Sequence, residues 1–344
     1  MDININLPGE KLVIKLWETI TDRGIGSLLK PLQIKREGKA LAEAQAEAMK
    51  IIAQAEKDVE EIKLGKGIYI EGKFLPHSNS ESNTTSHNQS NKIEPYIDPN
   101  NLAQLVVSNG IKGAMRKEIN VSKAILIAEA TLAGDSQKPS EKQVDKDWIY
   151  RWRDYAGDVS MEELQSLWGN VLAGEIKAPG KFSLRTLEFL RNLSKEEAGK
   201  IQTLGSYVLA DAIFKESESY LMSKGISFGF LLDMQELGIV SGVDSTGLSS
   251  EFSSTLADEF LVNFKYHGRF LQISHENAQI KLTLPAYAIT KLGIQVLSLG
   301  KFEQDENFLR VIGEAVKSQG FKVAIGDINT VNGNVTTFIN KQFL

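Results

Sequence analysis

Between Ser160 and Glu197 the chain carries two Ser-x-x-Glu patterns on either side of Pro179-Gly180, and no other stretch limits the fold as tightly. In this pattern the serine oxygen accepts a backbone N–H of the first helical turn, and the glutamate reaches back to the serine N–H. Ser160 with Glu163 predicts one helix start, and Ser194 with Glu197 a second. The first helix turns Leu164, Leu167, Trp168, Val171 and Leu172 inward and ends at Pro179-Gly180. Ser183 caps the next, with Leu184, Leu187 and Leu190 inward. The Ser194 helix is expected to run to about Tyr220 with Ala198, Ile201, Leu204, Val208, Leu209 and Ala212 inward. Just upstream, residues 147–156 form a short aromatic helix whose Trp148 and Trp152 lie one turn apart.

The rest of the chain is organised around this core. Residues 1–66 read as a helical arm. It begins with an amphipathic helix, is interrupted at Gly24, Gly26 and Pro31, and continues as an Ala- and Glu-rich segment. There Ile34, Leu41, Ala44, Ala48, Ile51, Ala55, Val59 and Ile62 form a narrow coiled-coil-like seam. Residues 67–97 are a flexible linker, because 77–91 hold no large apolar side chain to offset the entropy of ordering. Residues 98–224 are the helical core, starting with one long helix or two over 102–132. Residues 225–300 follow the order helix, strand, hairpin, helix, which is winged-helix-like. Within them 242–254 read as loop, 260–264, 269–274 and 279–284 as strands, the last stopped by Pro285, and Thr290 caps a helix. Residues 301–344 give a helix over 308–317 and a β-hairpin turning at Asn332-Gly333. The expected fold class is mainly α with a smaller α+β part.

Chemistry is sparse. There is no cysteine, so disulfides, thiolate ligands and cysteine nucleophiles are excluded. No phosphate-cradling glycine loop or serine elbow occurs. His275-Glu276 starts a zinc-protease pattern, but Gln279 stands where the second histidine belongs. We therefore assign no catalytic residue, metal or cofactor. One mixed-charge cluster is a candidate binding site: Arg151 and Arg153 on the aromatic helix, with Glu175, Lys181 and Arg185 around the Pro179-Gly180 turn. The competing reading is an ion-pair network that orients a helix hairpin.

The N-terminus lacks a secretory pattern, and no window reaches the ~18 apolar residues of a spanning helix, so the expected location is cytoplasmic. In the first helix Leu12, Leu16, Trp17 and Ile20 share one face. That face suits a second subunit or the membrane surface, including a position peripheral to the inner membrane. Glu18 and Asp22 beside the lysines favour the subunit, since anionic lipid selects a basic face. Over residues 226–300 four Lys or Arg stand against seven Asp or Glu, which weighs against duplex DNA.

The stretch "DWIYRWRDYAGDVSMEELQSLWGNVLAGEIKAPGKFSLRTLEFLRNLSKEEA" resembles the bacterial, uncharacterised domain of unknown function 2806 family. The resemblance extends from "GEKLVIKLWE" through "REGKALAEA" to the Thr290 helix start. The central part is similar, more distantly, to the abortive-infection alpha proteins. The first likeness implies no reaction and no site residues, and the second implies a role in phage defence. The leading expectation is a non-enzymatic, self-associating cytoplasmic protein acting through protein or membrane-surface contacts, with nucleic acid not a partner. The alternatives are an enzyme or nucleic-acid-processing protein using the Arg151–Arg185 charges, and an acidic winged-helix regulator.

Overall fold

The computed structural model describes residues 8–26, 29, 41–63, 67–70, 73–76, 99–245, 249–254, 256–331 and 335–344. The polar run 77–91, the segment around Pro31 and the Asn332-Gly333 turn lie outside them. The chain is mainly helical, with its larger sheets in the C-terminal region. It forms two compact units, 1–180 and 181–344. The break falls inside the span read from the sequence as one helical core.

In the first unit α1 (Glu10–Thr21), α2 (Leu41–Lys63), α4 (Lys146–Asp158) and α5 (Glu162–Lys177) all pack against the long helix α3 (Pro99–Ala133). A small antiparallel hairpin, β1 (Gly67–Ile70) with β2 (Lys73–Pro76), follows α2. Two close approaches need glycine. Gly9 donates to Ala133 O at 3.1 Å, and a Cβ there would lie 1.7 Å from Leu132 O. At the α3–α5 crossing a Cβ on Gly169 would lie 2.6 Å from Ile127. The core holds Trp148, Trp152 and Trp168, and Trp152 Nε1 donates to Trp168 O at 2.9 Å.

The α2 seam is buried at Ala44, Ala48 and Val59, with Ile52 rather than Ile51 inward. It packs on the chain's own α3, tied by Lys123 to Glu56 at 2.5 Å and Gln45 to Glu129 at 3.5 Å. A narrow seam does not distinguish a neighbouring helix of its own chain from one of another. The Ser160 cap does not form. Helix α5 starts at Glu162 with Met161 as N-cap, and Ser160 Oγ instead accepts from Asn120 Nδ2 at 3.4 Å. Ser183 does cap its helix, and Ser194 with Glu197 makes the complete capping box.

The second unit contains α6 (Leu184–Asn192), α7 (Lys195–Gly205), α8 (Glu218–Ser223), α9 (Phe228–Glu236), α10 (Lys291–Leu297) and α11 (Glu306–Lys317). The helix expected to reach Tyr220 stops at Gly205. Ala210 and Asp211 then take positive φ, 52° and 57°, and reverse the chain into β3 (Ala212–Phe214). Helical spacing misleads here because all three strand residues are buried. β3 pairs with β8 (Leu282–Ile289), which also pairs with β4 (Val240–Ser241) and β5 (Ser249–Phe252). Thus β5 lies where a loop was expected, and β8 runs on through Pro285. That residue sits at the end of the β5 pairing, opposite Ser249, where the missing N–H does least harm.

The other sheet has the order β10-β9-β7-β6, with β6 (Phe260–Tyr266), β7 (Arg269–His275), β9 (Lys322–Val331) and β10 (Val335–Phe343), all antiparallel. The C-terminal hairpin thus shares a sheet with strands of 225–300. One face of this sheet is covered by α11, whose Phe308, Leu309, Ile312 and Val316 are buried. Thr290 caps α10 through Gly293 N, as its position predicts.

Candidate functional site

The predicted charge cluster divides between the units. Arg151, Arg153 and Glu175 lie in the first, Lys181 and Arg185 in the second. Arg153 Nη2 reaches Glu118 on α3 at 3.1 Å, and Arg151 on α4 is exposed. Glu175 is buried in the last turn of α5, where Oε1 accepts the Gly180 N–H at 2.5 Å. Lys15 on α1 donates to the carbonyls of Ser140 and Lys142 at 2.7 and 3.0 Å. Burial holds the Lys15 ammonium below its usual range, opposed by the Glu175 charge. Lys177 pairs with Asp135. Burial raises the Asp135 carboxyl, but the Lys177 bond and the Gln137 N–H outweigh it and leave the group below its ordinary value. These groups hold the segment between α3 and α4 against α1 and α5.

In the second unit Lys181 Nζ stands 5.0 Å from the Phe182 ring centroid. Arg185 lines a shallow cavity of about 320 Å³ with Glu188, Phe189, Leu237 and Leu292. Within either unit, then, the five residues do not converge on one reacting position. Glu175→Gln is expected to destabilise the first unit by about 1–2 kcal/mol, because a charged acceptor of a backbone N–H is weakened. Urea unfolding followed by tryptophan fluorescence measures this, since all four tryptophans lie in residues 1–180. A variant as stable as the parent would contradict the structural role.

Leu12, Leu16, Trp17 and Ile20 are buried within the first unit, and Trp17 Nε1 donates to Glu129 Oε1 at 2.7 Å. The face expected to meet a subunit or lipid is therefore covered by the chain itself. An amphipathic pattern shows that a face is buried, not by what.

An open apolar groove of this unit lies between α2, α3 and α5, and the sequence reading missed it. Its volume is about 490 Å³. Ile52 and Leu126 form the floor, Ile127, Ala53 and Ala130 the walls, and Met49, 58% exposed, the rim. Glu56 and Lys123 close one side as an ion pair, and Glu162 stands at the start of α5. The signal was present but faint: Met49 and Ala53 are one turn apart, off the seam.

A second polar centre ties the second unit. Asp305, the N-cap of α11, accepts from Phe308 N at 3.2 Å and from Tyr220 OH at 2.9 Å. Lys224 lies 3.4 Å from Oδ2, and Tyr207 OH donates to the same oxygen at 3.4 Å. Tyr266 OH donates to Ser206 O at 2.5 Å and accepts from Asp305 N at 3.1 Å, and burial pushes its pKa up to about 12. Its hydroxyl is thus a fixed neutral donor at ordinary pH.

Among the described residues no group of three His, Asp or Glu side chains is placed to hold a metal ion, and no helix is long and apolar enough to cross a membrane. A family model described as a protein of unknown function, DUF2806, matches residues 112–313. No curated protein and no solved structure matches the chain. The matched span runs from within α3 to within α11 and includes α5 and the Asp305 centre, but not α2, β9 or β10.

Proposed function

The chain belongs to the DUF2806 family, whose function is unknown, and from that premise we propose that it is a non-enzymatic scaffold that holds a protein partner on its helical unit. The groove between α2, α3 and α5 carries this reading. It leaves a flexible methionine at the rim of an apolar trough, and such side chains repack around varied partners. Its volume suits two or three apolar side chains from one face of a partner helix. The charges that an enzyme would need support the scaffold instead, since Arg153, Glu175 and Lys177 hold helices and loops together.

Self-association belongs to this proposal, through a surface other than Leu12, Leu16, Trp17 and Ile20. So does a cytoplasmic setting. A role in phage defence rests on the resemblance to abortive-infection alpha proteins alone, and a lower plating efficiency of phage on expressing cells tests it.

Photo-cross-linking from position 49 of the full chain tests the scaffold. A defined adduct is expected from position 49, absent when the same probe replaces Tyr150, and lost when Ala53→Arg fills the groove. An adduct of twice the chain mass identifies the partner as a second copy. No adduct, or one that ignores Ala53→Arg, overturns the groove as a docking site.

A further inference from the structure

The face of the β10-β9-β7-β6 sheet that turns away from α11 carries two cross-strand rows. In the first, Asn263, Gln272, Ala324 and Phe343 stand side by side, one from each strand. In the second, Lys265, Phe270 and Gly326 align. Phe338 of β10 lies over Phe270, with ring centroids 4.6 Å apart. Strand alternation sends Val262, Phe264, Leu271, Ile273, Val323 and Ile325 to the opposite face, where all are buried.

The first row has the chemistry of a recognition surface. Phe343 is 68% exposed, with the Lys341 ammonium 4.9 Å from its ring centroid. Gln272 Nε2 donates to Asn263 Oδ1 at 2.9 Å. The Asn263 amide N–H groups and the Gln272 carbonyl oxygen make no other side-chain bond among the described residues, so a donor and an acceptor stand next to each other. Ala324, between the amides and the ring, is itself buried, so the amides and the Phe343 ring are the open groups of the row. Lys265, in the adjacent row, is exposed.

We propose that this face binds single-stranded nucleic acid. A base stacks on Phe343, the Asn263–Gln272 pair meets a base edge, and Lys265 and Lys341 meet phosphates. Every base offers a π-face to an exposed aromatic ring, and an unpaired base also offers the donor and acceptor edge that a side-chain amide pairs with. A duplex hides those edges. An added protein strand is disfavoured at β10, because the irregular pairing between Ile339 and Gln342, Asn340 at φ 54° and Lys341 are features that block strand addition. A flat apolar partner is disfavoured too, since the Lys341 ammonium stands over the most exposed ring, Phe343. The acidic balance of residues 226–300 is reduced by Lys322, which lies outside that span and pairs with Glu276. This site is independent of the groove on the first unit.

Fluorescence anisotropy of the full chain with labelled oligouridylate and oligothymidylate tests the proposal. Saturable binding is expected at about 50 mM salt, weakening about sevenfold at about 200 mM if two phosphates are contacted. Phe343→Ala should weaken it about tenfold with an unchanged circular dichroism spectrum, because the removed ring is exposed. Lys265→Glu with Lys341→Glu should remove most of the salt dependence. Absence of saturable binding at the lower salt, equal binding by Phe343→Ala, or tighter binding of a duplex of the same length each overturns it. The uridylate and thymidylate arms distinguish RNA from DNA.

Discussion

Trp152→Ala is expected to destabilise the first unit by roughly 3–5 kcal/mol, the usual range for emptying a fully buried aromatic site. Trp152 is 0% exposed, and its indole N–H donates to the Trp168 carbonyl across the α4–α5 contact. Alanine leaves a cavity between helices that glycine at 169 already brings close to α3. The loss is a large fraction of the total stability of a domain, about 5–15 kcal/mol. Urea unfolding monitored by fluorescence of the remaining tryptophans reads the first unit alone. Tyr150→Ala, on the same helix but 46% exposed, is the control and should change stability by less than about 0.5 kcal/mol. If both variants unfold alike, Trp152 is not the core residue that its burial indicates.

What the sequence made legible follows from how local the determining physics is. Ser183, Ser194 with Glu197, and Thr290 are read correctly because a cap needs only a hydroxyl and the N–H three residues on. The Trp148, Trp152 and Trp168 core is legible because helical spacing places these rings together on buried faces. Ser160 misleads because α5 starts at Glu162 with Met161 as its N-cap, and the Ser160 hydroxyl meets Asn120, distant in sequence, in place of an N–H of the first turn. β3 is misread for the same kind of reason. Its helical look is local, whereas its pairing with β8 joins Ala212 to Ala288, far apart in sequence.

The candidate sites were less legible still. Arg153 and Glu175 are visible as charges, but only the fold shows that one engages Glu118 and the other the Gly180 N–H. The platform row Asn263–Gln272–Ala324–Phe343 draws one residue from each strand, so no window of sequence contains it. Asp305 caps α11, and the hydroxyls it gathers come from Tyr207 and Tyr220, in a segment that sequence periodicity assigned to a continuous helix.

Asp305→Asn should therefore have its effect in the second unit, and the effect should depend on pH. Burial pushes the Asp305 carboxyl up, but the bonds from Tyr220, Phe308 N and Lys224 outweigh it and hold the group below its ordinary value. A carboxyl depressed in the folded state stabilises the fold above the unfolded pKa of about 3.9. That contribution is lost as pH falls through about 3.9 towards the folded pKa, because the proton then binds the unfolded chain first. Asparagine fills the same space and remains a good N-cap, so the substitution removes the charge and little else. At neutral pH the variant should be less stable by about 1.5–3 kcal/mol, the range for hydrogen bonds to a charged group. On acidification the wild-type curve should fall towards that of the variant, and the two should meet once Asp305 is protonated in both states. Far-UV circular dichroism follows the transition, and tryptophan fluorescence, recorded beside it, reports on residues 1–180, because residues 181–344 contain no tryptophan. A difference between variant and parent that stays constant from neutral pH down to about pH 3 would mean that the carboxylate is not what holds Tyr220, Lys224 and the start of α11 together.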